Sequence, residues 1–446
     1  MPRISVQLNK TIVDSYDIQI ERGLLKKLAS DLRMKRFCDQ YVVISDTKVN
    51  KLYGKTLIDS LKREKLFLGK VVVPAGEKSK SFDQLKNILE KMVEMGANRK
   101  TGIIALGGGV VGDLAGYAAA SFMRGVEFIQ VPTTLLAMVD SSIGGKVGID
   151  LDTGKNLAGA FWQPKKVYVD PDVLKTLLQK QWKAGLGEAV KYGAIKDRSL
   201  WDFFEKHTIL LNKSPKDFLP SEWKVVEEMI ERCIQIKVDV VMKDEKEGNL
   251  RQILNYGHTF GHVVELMSEY NVLHGEAVAV GMRMASALAV EMRTMPNTEA
   301  EKQNLLLDTL LLGKTKTKGL ISEFIKHMKK DKKAKGDLRV VLCSRIGTCQ
   351  QQLGDFSLKI DEKVLKKVLK ETGLITDKKK EIVRKVILST PQVTSNPSWS
   401  SPQTSTYSSS AVSGETDLQK RLREMRERRS QRMDGSSSSA GGFLPG

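Results

Sequence analysis

The chain has 446 residues, 41% hydrophobic and 28% charged, proportions ordinary for a soluble globular protein and a length suited to two or three domains. A formal net charge of +19 points to anionic partners, whether nucleic acid, a membrane surface or a small anionic substrate. Cys38, Cys233, Cys343 and Cys349 lack Cys-x-x-Cys spacing, which argues against a disulfide framework or a cysteine zinc site and for a reducing, cytoplasmic setting.

The N-terminus opens on a strand-like alternation without the apolar core of a signal peptide. From residue 4 to about 174, short β-branched runs alternate with amphipathic stretches. Runs at 41–45, 70–73 and 101–106 each end in turn chemistry: Asp46-Thr47, Pro74-Ala75-Gly76-Glu77 and Gly107-Gly108-Gly109. Helical patterns at 24–34, 49–64 and 82–95 lie between them, as crossover connections of a parallel sheet would. In such a sheet ligands sit beyond the carboxyl ends of the strands, where these turns converge.

Past Thr176 the pattern becomes helical. Residues 222–245 carry Val225, Val226, Met229, Ile230, Cys233, Ile236 and Val240 at helical spacing. Residues 275–293 are apolar on nearly all sides and predict a buried helix. The longest apolar run, 277–290, contains Arg283 and is too short to span a bilayer, so no membrane partner is expected. A short strand at 338–342 and a helix at 361–371 follow.

The predicted fold is α/β: an N-terminal parallel-sheet domain at 1–175 and a mainly helical domain at 176–376. A low-complexity Ser/Arg-rich tail at 377–446 is predicted to be disordered. Within it, the Arg-rich segment 418–433 could bind nucleic acid or simply be a solvated appendage, and composition favours the second.

Three stretches carry chemistry. Gly107-Gly108-Gly109-Val110-Val111-Gly112-Asp113 contains G-x-G-x-x-G between a strand and a small-residue helix, a context suited to a pyrophosphate. Three strands precede it, and Pro132 stands where a standard Rossmann fold places its ribose-binding acid. Next, the stretch from Pro132-Thr133-Thr134 through Asp140 to Gly144-Gly145-Lys146, with Lys155-Asn156 beyond, packs polar groups beside apolar runs as a pocket lining does. Finally, three of the five histidines are His258, His262 and His274. On a helix His258 and His262 share a face, and the His-x-x-x-His spacing is that of a zinc half-site with a third ligand from elsewhere, or equally of one histidine capping a helix and another satisfied in the core.

Taken in order, the motifs Gly76-Glu77-x-x-Lys80, Gly107 to Asp113, Val131 to Ser142, Gly144-Gly145-Lys146, Gly187-Glu188-Ala189-Val190-Lys191-Tyr192-Gly193, Asn255-x-Gly257-His258-Thr259-Phe260-Gly261-His262, His274-Gly275-Glu276 and Asp331-Lys332-Lys333 resemble the 3-dehydroquinate synthases across roughly residues 1–375. The resemblance implies a divalent metal, zinc or cobalt, held by Glu188, His258 and His274. It moves His262 from the metal to the substrate phosphate. It implies NAD contacted by Asp46, Glu77, Lys80, Gly108, Gly109, Val110, Asp113, Thr133, Thr134 and Thr176.

The implied substrate is a sugar phosphate, 3-deoxy-D-arabino-heptulosonate 7-phosphate. Its expected basic partners are Arg124, Lys146, Lys155, Lys191, Lys237, Arg251, Lys332 and Arg339, with Asp140, Asn156, Glu247 and Asn255 completing the pocket. Lys146 and Arg251 are the expected carboxylate pair, and His262 and Asn255 the phosphate pair. The implied reaction passes hydride to NAD and back, eliminates phosphate and closes a carbocycle by aldol addition, with no net redox change. A homodimer is also expected.

Overall fold

The computed structural model describes residues 15–331 and 337–376. Lys332, the N-terminal alternation and the whole 377–446 tail, with its expected disorder and nucleic-acid binding, lie outside these residues. Among the described residues six strands form one parallel sheet: β1 Asp17–Ile20, β2 Gln40–Asp46, β3 Phe67–Val73, β4 Thr101–Gly107, β5 Phe128–Pro132 and, after a hairpin, β8 Lys166–Val169. The spatial order is β1-β8-β5-β4-β2-β3.

The chain runs outward from β2 to β3, then returns to lay β4 on the other side of β2 and runs outward again to β5. This reversal opens the crevice at the carboxyl ends of β2 and β4 that parallel sheets use for ligands. β4 is buried at all seven positions, as a central strand covered on both faces must be. The helix Gly109–Ser121 follows it, and its apolar face is Val111, Leu114, Ala115, Ala118 and Ala119.

The intervening hairpin, β6 Lys146–Leu151 and β7 Gly154–Phe161, is antiparallel and separate from the main sheet. Gly148 and Gly159 pair across it so closely that a Cβ on Gly159 would lie 2.1 Å from the Val147 carbonyl oxygen. The Asp150 amide donates to the Lys80 carbonyl at 2.9 Å and ties the hairpin to the turn after β3.

Beyond Thr176 helices dominate, with only short two-stranded ribbons among the described residues. The helices at the site are Gln179–Ile195, Trp223–Lys243, His258–Met267 and His274–Glu291. None in the described residues is long and apolar enough to cross a membrane. Gln179–Ile195 and His274–Glu291 meet backbone to backbone. A Cβ on Gly275 would stand 1.7 Å from the Ala184 carbonyl oxygen, and one on Gly187 would stand 2.2 Å from that of Gly275. Only glycine admits this approach, and each glycine adjoins a candidate metal ligand, Glu188 or His274.

Candidate active site

Glu188, His258 and His274 come together from three helices, their ligand atoms within 4.8 Å of one another. Both imidazole Nε2 atoms lie 3.4 Å from the same carboxylate oxygen, Oε1 of Glu188. Ligands about 2.0–2.2 Å from a tetrahedral zinc-like ion stand about 3.3–3.6 Å apart, so the two oxygen–nitrogen separations fit a shared divalent ion. The other Glu188 oxygen pairs with the Lys191 ammonium at 2.5 Å, one helical turn along, with both side chains fully buried.

The electrostatics of the trio suit a cation. Burial pushes the Glu188 carboxyl upward, but Lys191, His258 and His274 outweigh it and hold the group well below the usual range. Burial, reinforced by Lys191, drives His258 down to about 3, so this imidazole is neutral and has a lone pair to give. Burial also pulls His274 down, yet hydrogen bonds to Glu188 and Glu265 lift it to about 10. Positive charge is therefore favoured where His274 stands between two carboxylates.

His262 shares the helix with His258, its ring 5.5 Å from that of His258 and 5.9 Å from that of His274. It is exposed, and belongs to a second grouping with Glu265 and His274. The spacing-based pairing of His258 with His262 leaves out Glu188, which the fold supplies from a distant helix.

A ring of ion pairs surrounds the trio. Lys237 Nζ is 2.7 Å from Asp140 Oδ1, which also accepts from the Tyr192 hydroxyl at 2.7 Å. Asp140 sits in a π-helical turn, Ala137–Ser141, a geometry that recurs at functional sites. Burial pushes its carboxyl up, but Lys237 and Lys191 hold it well below the normal value. Lys146 pairs with Glu247, which also accepts from Asn255 Nδ2 at 2.6 Å. Arg251 is buried and donates to the Gly144 carbonyl at 3.0 Å. Asp244 accepts from the Gly248, Asn249 and Arg251 amides and fixes the loop that carries Glu247 and Arg251. Lys155 lies 3.1 Å from Glu265 and 3.5 Å from Glu77.

At the sheet crevice, Gly108 caps the helix Gly109–Ser121, whose amino end favours an anion. A Cβ on Gly108 would press on Thr134 at 3.1 Å, and one on Gly109 on Ser141 at 2.9 Å. The Thr133 hydroxyl is buried without a hydrogen-bond partner among the described residues, an open donor at the strand end. Lys80 pairs with Asp113 at 2.8 Å and bonds to Asn156. Asp46 ends β2, the neighbour of β4, so the acid absent twenty residues after the glycines stands on the adjoining strand. Its carboxylate caps the next turn through the Lys48 and Val49 amides. Thr176 bonds to the Tyr53 hydroxyl at 2.6 Å. These groups fit a dinucleotide lying across the strand ends.

Arg124 and Arg339 occupy exposed or half-buried positions. Arg124 is exposed, with φ 71, and forms no ion pair among the described residues. Arg339 begins the strand Arg339–Val341, which packs beside the Leu250–Asn255 turn, and it bonds to Asp355 and the Ser357 carbonyl.

Sequence reasoning passed over Glu265, buried in the middle of the site; its only signal was a carboxylate three residues after His262 on the same helix. Glu276 accepts from the Gly313, Lys314 and Thr315 amides and so anchors a loop.

Residues 70–184 match the family model described as 3-dehydroquinate synthase N-terminal, and residues 185–334 that described as 3-dehydroquinate synthase C-terminal. The chain is 42% identical over 338 residues to a 3-dehydroquinate synthase of Rippkaea orientalis, covering 75% of this chain and 90% of that one. It is 40% identical over 340 residues to one of Prochlorococcus marinus, covering 75% and 92%. A 2-deoxy-scyllo-inosose synthase structure, complexed with carbaglucose-6-phosphate, NAD+ and Co2+, superposes with a TM-score of 0.68 at 28% identity, covering 79% of this chain and 96% of that one. A 2-epi-5-epi-valiolone synthase from Streptomyces hygroscopicus with NAD+ and Zn2+ bound shares the fold, with a TM-score of 0.72 at 24% identity over 82% and 99%.

Proposed function

The chain belongs to the 3-dehydroquinate synthase family, and from that premise we propose how its residues divide the conversion of 3-deoxy-D-arabino-heptulosonate 7-phosphate to 3-dehydroquinate and phosphate. Bound NAD supplies a hydride acceptor regenerated within each turnover, and a bound divalent ion supplies Lewis acidity at the hydroxyl to be oxidised. Glu188, His258 and His274 hold the ion, and the groups at the ends of β2, β4 and β5 hold NAD. We assign residues 1–175 to the nucleotide and 176–376 to metal and substrate; the confinement of the six-stranded sheet to the first part supports this.

Within that frame the protein's work is charge placement and orientation. Lys146 and Arg251 receive the carboxylate, while His262 and Asn255 steady the phosphate, which takes up the proton as it leaves. Lys155, Lys191, Lys237, Asp140, Asn156 and Glu247 shape the pocket between them. Arg124, Lys332 and Arg339 are assigned to substrate by family resemblance. The single observation that carries the reading is the carboxylate–imidazole–imidazole trio, with both imidazole Nε2 atoms 3.4 Å from Glu188 Oε1, set among lysines and an arginine.

Protein mixed with substrate, divalent metal and NAD far below the substrate concentration should release phosphate in amounts exceeding the NAD added. NADH accumulating in step with substrate consumed would mean a dehydrogenase instead. Turnover of glucose 6-phosphate in place of the heptulosonate would mean an inosose-type cyclase.

His262→Ala is expected to lower phosphate release about 10-fold to 100-fold, as loss of one charge-assisted contact does, while keeping full metal content. Metal analysis showing the ion lost would return His262 to the ligand set.

We further infer a homodimer, from family resemblance, and a cytoplasmic setting, which the four free cysteines support. A chain ending at Thr376 is expected to release phosphate within about 2-fold of the full chain, because low-complexity sequence builds no pocket. Salt-sensitive RNA or DNA binding present in the full chain and lost on truncation would assign the tail a separate binding activity.

A further inference from the structure

Glu265 is only 3% exposed and sits between two groups from different parts of the fold. Its Oε2 lies 3.0 Å from His274 Nδ1, and its Oε1 lies 3.1 Å from the Lys155 ammonium. Lys155 belongs to the β6–β7 hairpin, whereas Glu265 is on the helix that begins at His258. The same ammonium lies over the Tyr270 ring, 4.4 Å from its centroid.

A carboxylate so placed can only accept, so the hydrogen on the His274 ring is required at Nδ1. In the neutral imidazole this leaves the lone pair at Nε2, the nitrogen 3.4 Å from Glu188 Oε1. Glu265 in turn is prevented from rotating by Lys155, which holds its second oxygen. The alternative, in which Glu265 is itself a metal ligand with His262 and His274, fits the distances less well. A separation of 3.0 Å is that of a hydrogen bond, shorter than the edge of a tetrahedron of ligands about 2.1 Å from an ion. The buried Glu188 and the neutral His258 would also be left without a metal.

We propose that Glu265 is the positioning residue of the metal centre, fixing the ring orientation and tautomer of His274 so that Nε2 faces the ion, and that Lys155 locks it from the hairpin. This rests on the assignment of Glu188, His258 and His274 as ligands. It adds a dependence of metal affinity on a residue that never touches the metal, carried through a lysine of the nucleotide-binding half. Removal of such an outer hydrogen-bond partner typically weakens metal affinity ~10-fold to 100-fold.

The test is Co2+ affinity by chelator competition in full-length Glu265→Ala, Glu265→Gln, Glu188→Ala and His262→Ala proteins, each stripped of metal and checked by thermal unfolding. Glu265→Ala is expected to bind Co2+ ~10-fold to 100-fold more weakly, with the visible cobalt spectrum retained at saturation. Glu265→Gln, which can still accept from Nδ1–H, is expected to recover part of that loss. Should the alanine variant unfold at lower temperature, the glutamine variant, isosteric with glutamate, carries the comparison. Co2+ binding by folded Glu265→Ala and Glu265→Gln within 2-fold of the parent would overturn the proposal. So would complete loss in Glu265→Gln and His262→Ala alike, which would make Glu265 a direct ligand. Parental Co2+ affinity in Glu188→Ala would instead remove the ligand trio itself, a failure recognisable without reference to the Glu265 variants.

Discussion

Glu188→Ala protein is expected to purify without its divalent ion and to release phosphate at least about 10³-fold more slowly than the parent, a loss of roughly 4 kcal/mol of barrier lowering. Lewis acidity is worth several kcal/mol in such reactions, and both candidate histidines approach Glu188 Oε1. Stability should fall as well. The Lys191 ammonium is 1% exposed and 2.5 Å from Glu188, and breaking a buried pair from one side costs about 3–5 kcal/mol because the remaining charge cannot reach water. Glu188→Gln separates the two effects: it fills the same volume and still accepts a hydrogen bond from Lys191, yet is a far poorer ligand. Metal content by elemental analysis, denaturant unfolding and phosphate release together decide the matter. A metal-replete Glu188→Gln enzyme of near-parental rate would refute the assignment.

Gly275→Ala is expected to do nearly as much damage without touching a functional group. Its new Cβ would lie 1.7 Å from the Ala184 carbonyl oxygen, far inside contact distance, and that oxygen is backbone in the middle of a helix. The helices Gln179–Ile195 and His274–Glu291 must move apart, at a cost of about 3 kcal/mol or more for overpacking this tight. Because Glu188 and His274 flank the contact, the separation widens the metal site along with it. The melting temperature should fall by several degrees and the metal should be lost together with turnover. A variant with parental melting temperature and stoichiometric metal would show that the ligands do not depend on this crossing.

The sheet was readable because its strands announce themselves locally. The runs at 41–45, 70–73 and 101–106 end in the turns that the structure places at the carboxyl ends of β2, β3 and β4. The long helices were readable for the same reason, and the predicted 222–245 is observed as Trp223–Lys243. The hairpin of β6 and β7 went unread although Val147, Ile149 and Leu151 alternate with Lys146, Gly148 and Asp150: its pairing depends on glycines meeting across it, which no local pattern announces. In the site, spacing along the chain gave two histidines on one helical face but could not supply Glu188, whose place depends on two glycines in separate helices. Family resemblance named it instead. Glu265 escaped both approaches, since a carboxylate that orients a ligand leaves the same trace in sequence as any acid on a helix.

The paired charges around the site have a consequence for selectivity. Lys191, Lys237, Lys146 and Lys155 each rest against a carboxylate of the chain itself, Glu188, Asp140, Glu247 and Glu265. With these lysines assigned to the substrate as proposed, the pocket would behave as an ion exchanger already loaded with its own anions rather than as a bare cationic well. An arriving anion gains only the difference between its contacts and those it displaces, so chloride or acetate, with one charge and little reach, gains almost nothing. A molecule presenting a carboxylate and a phosphate at a fixed separation can displace several internal partners at once. Discrimination then arises from valence and spacing, and the high net charge of the chain need not make the pocket indiscriminately sticky.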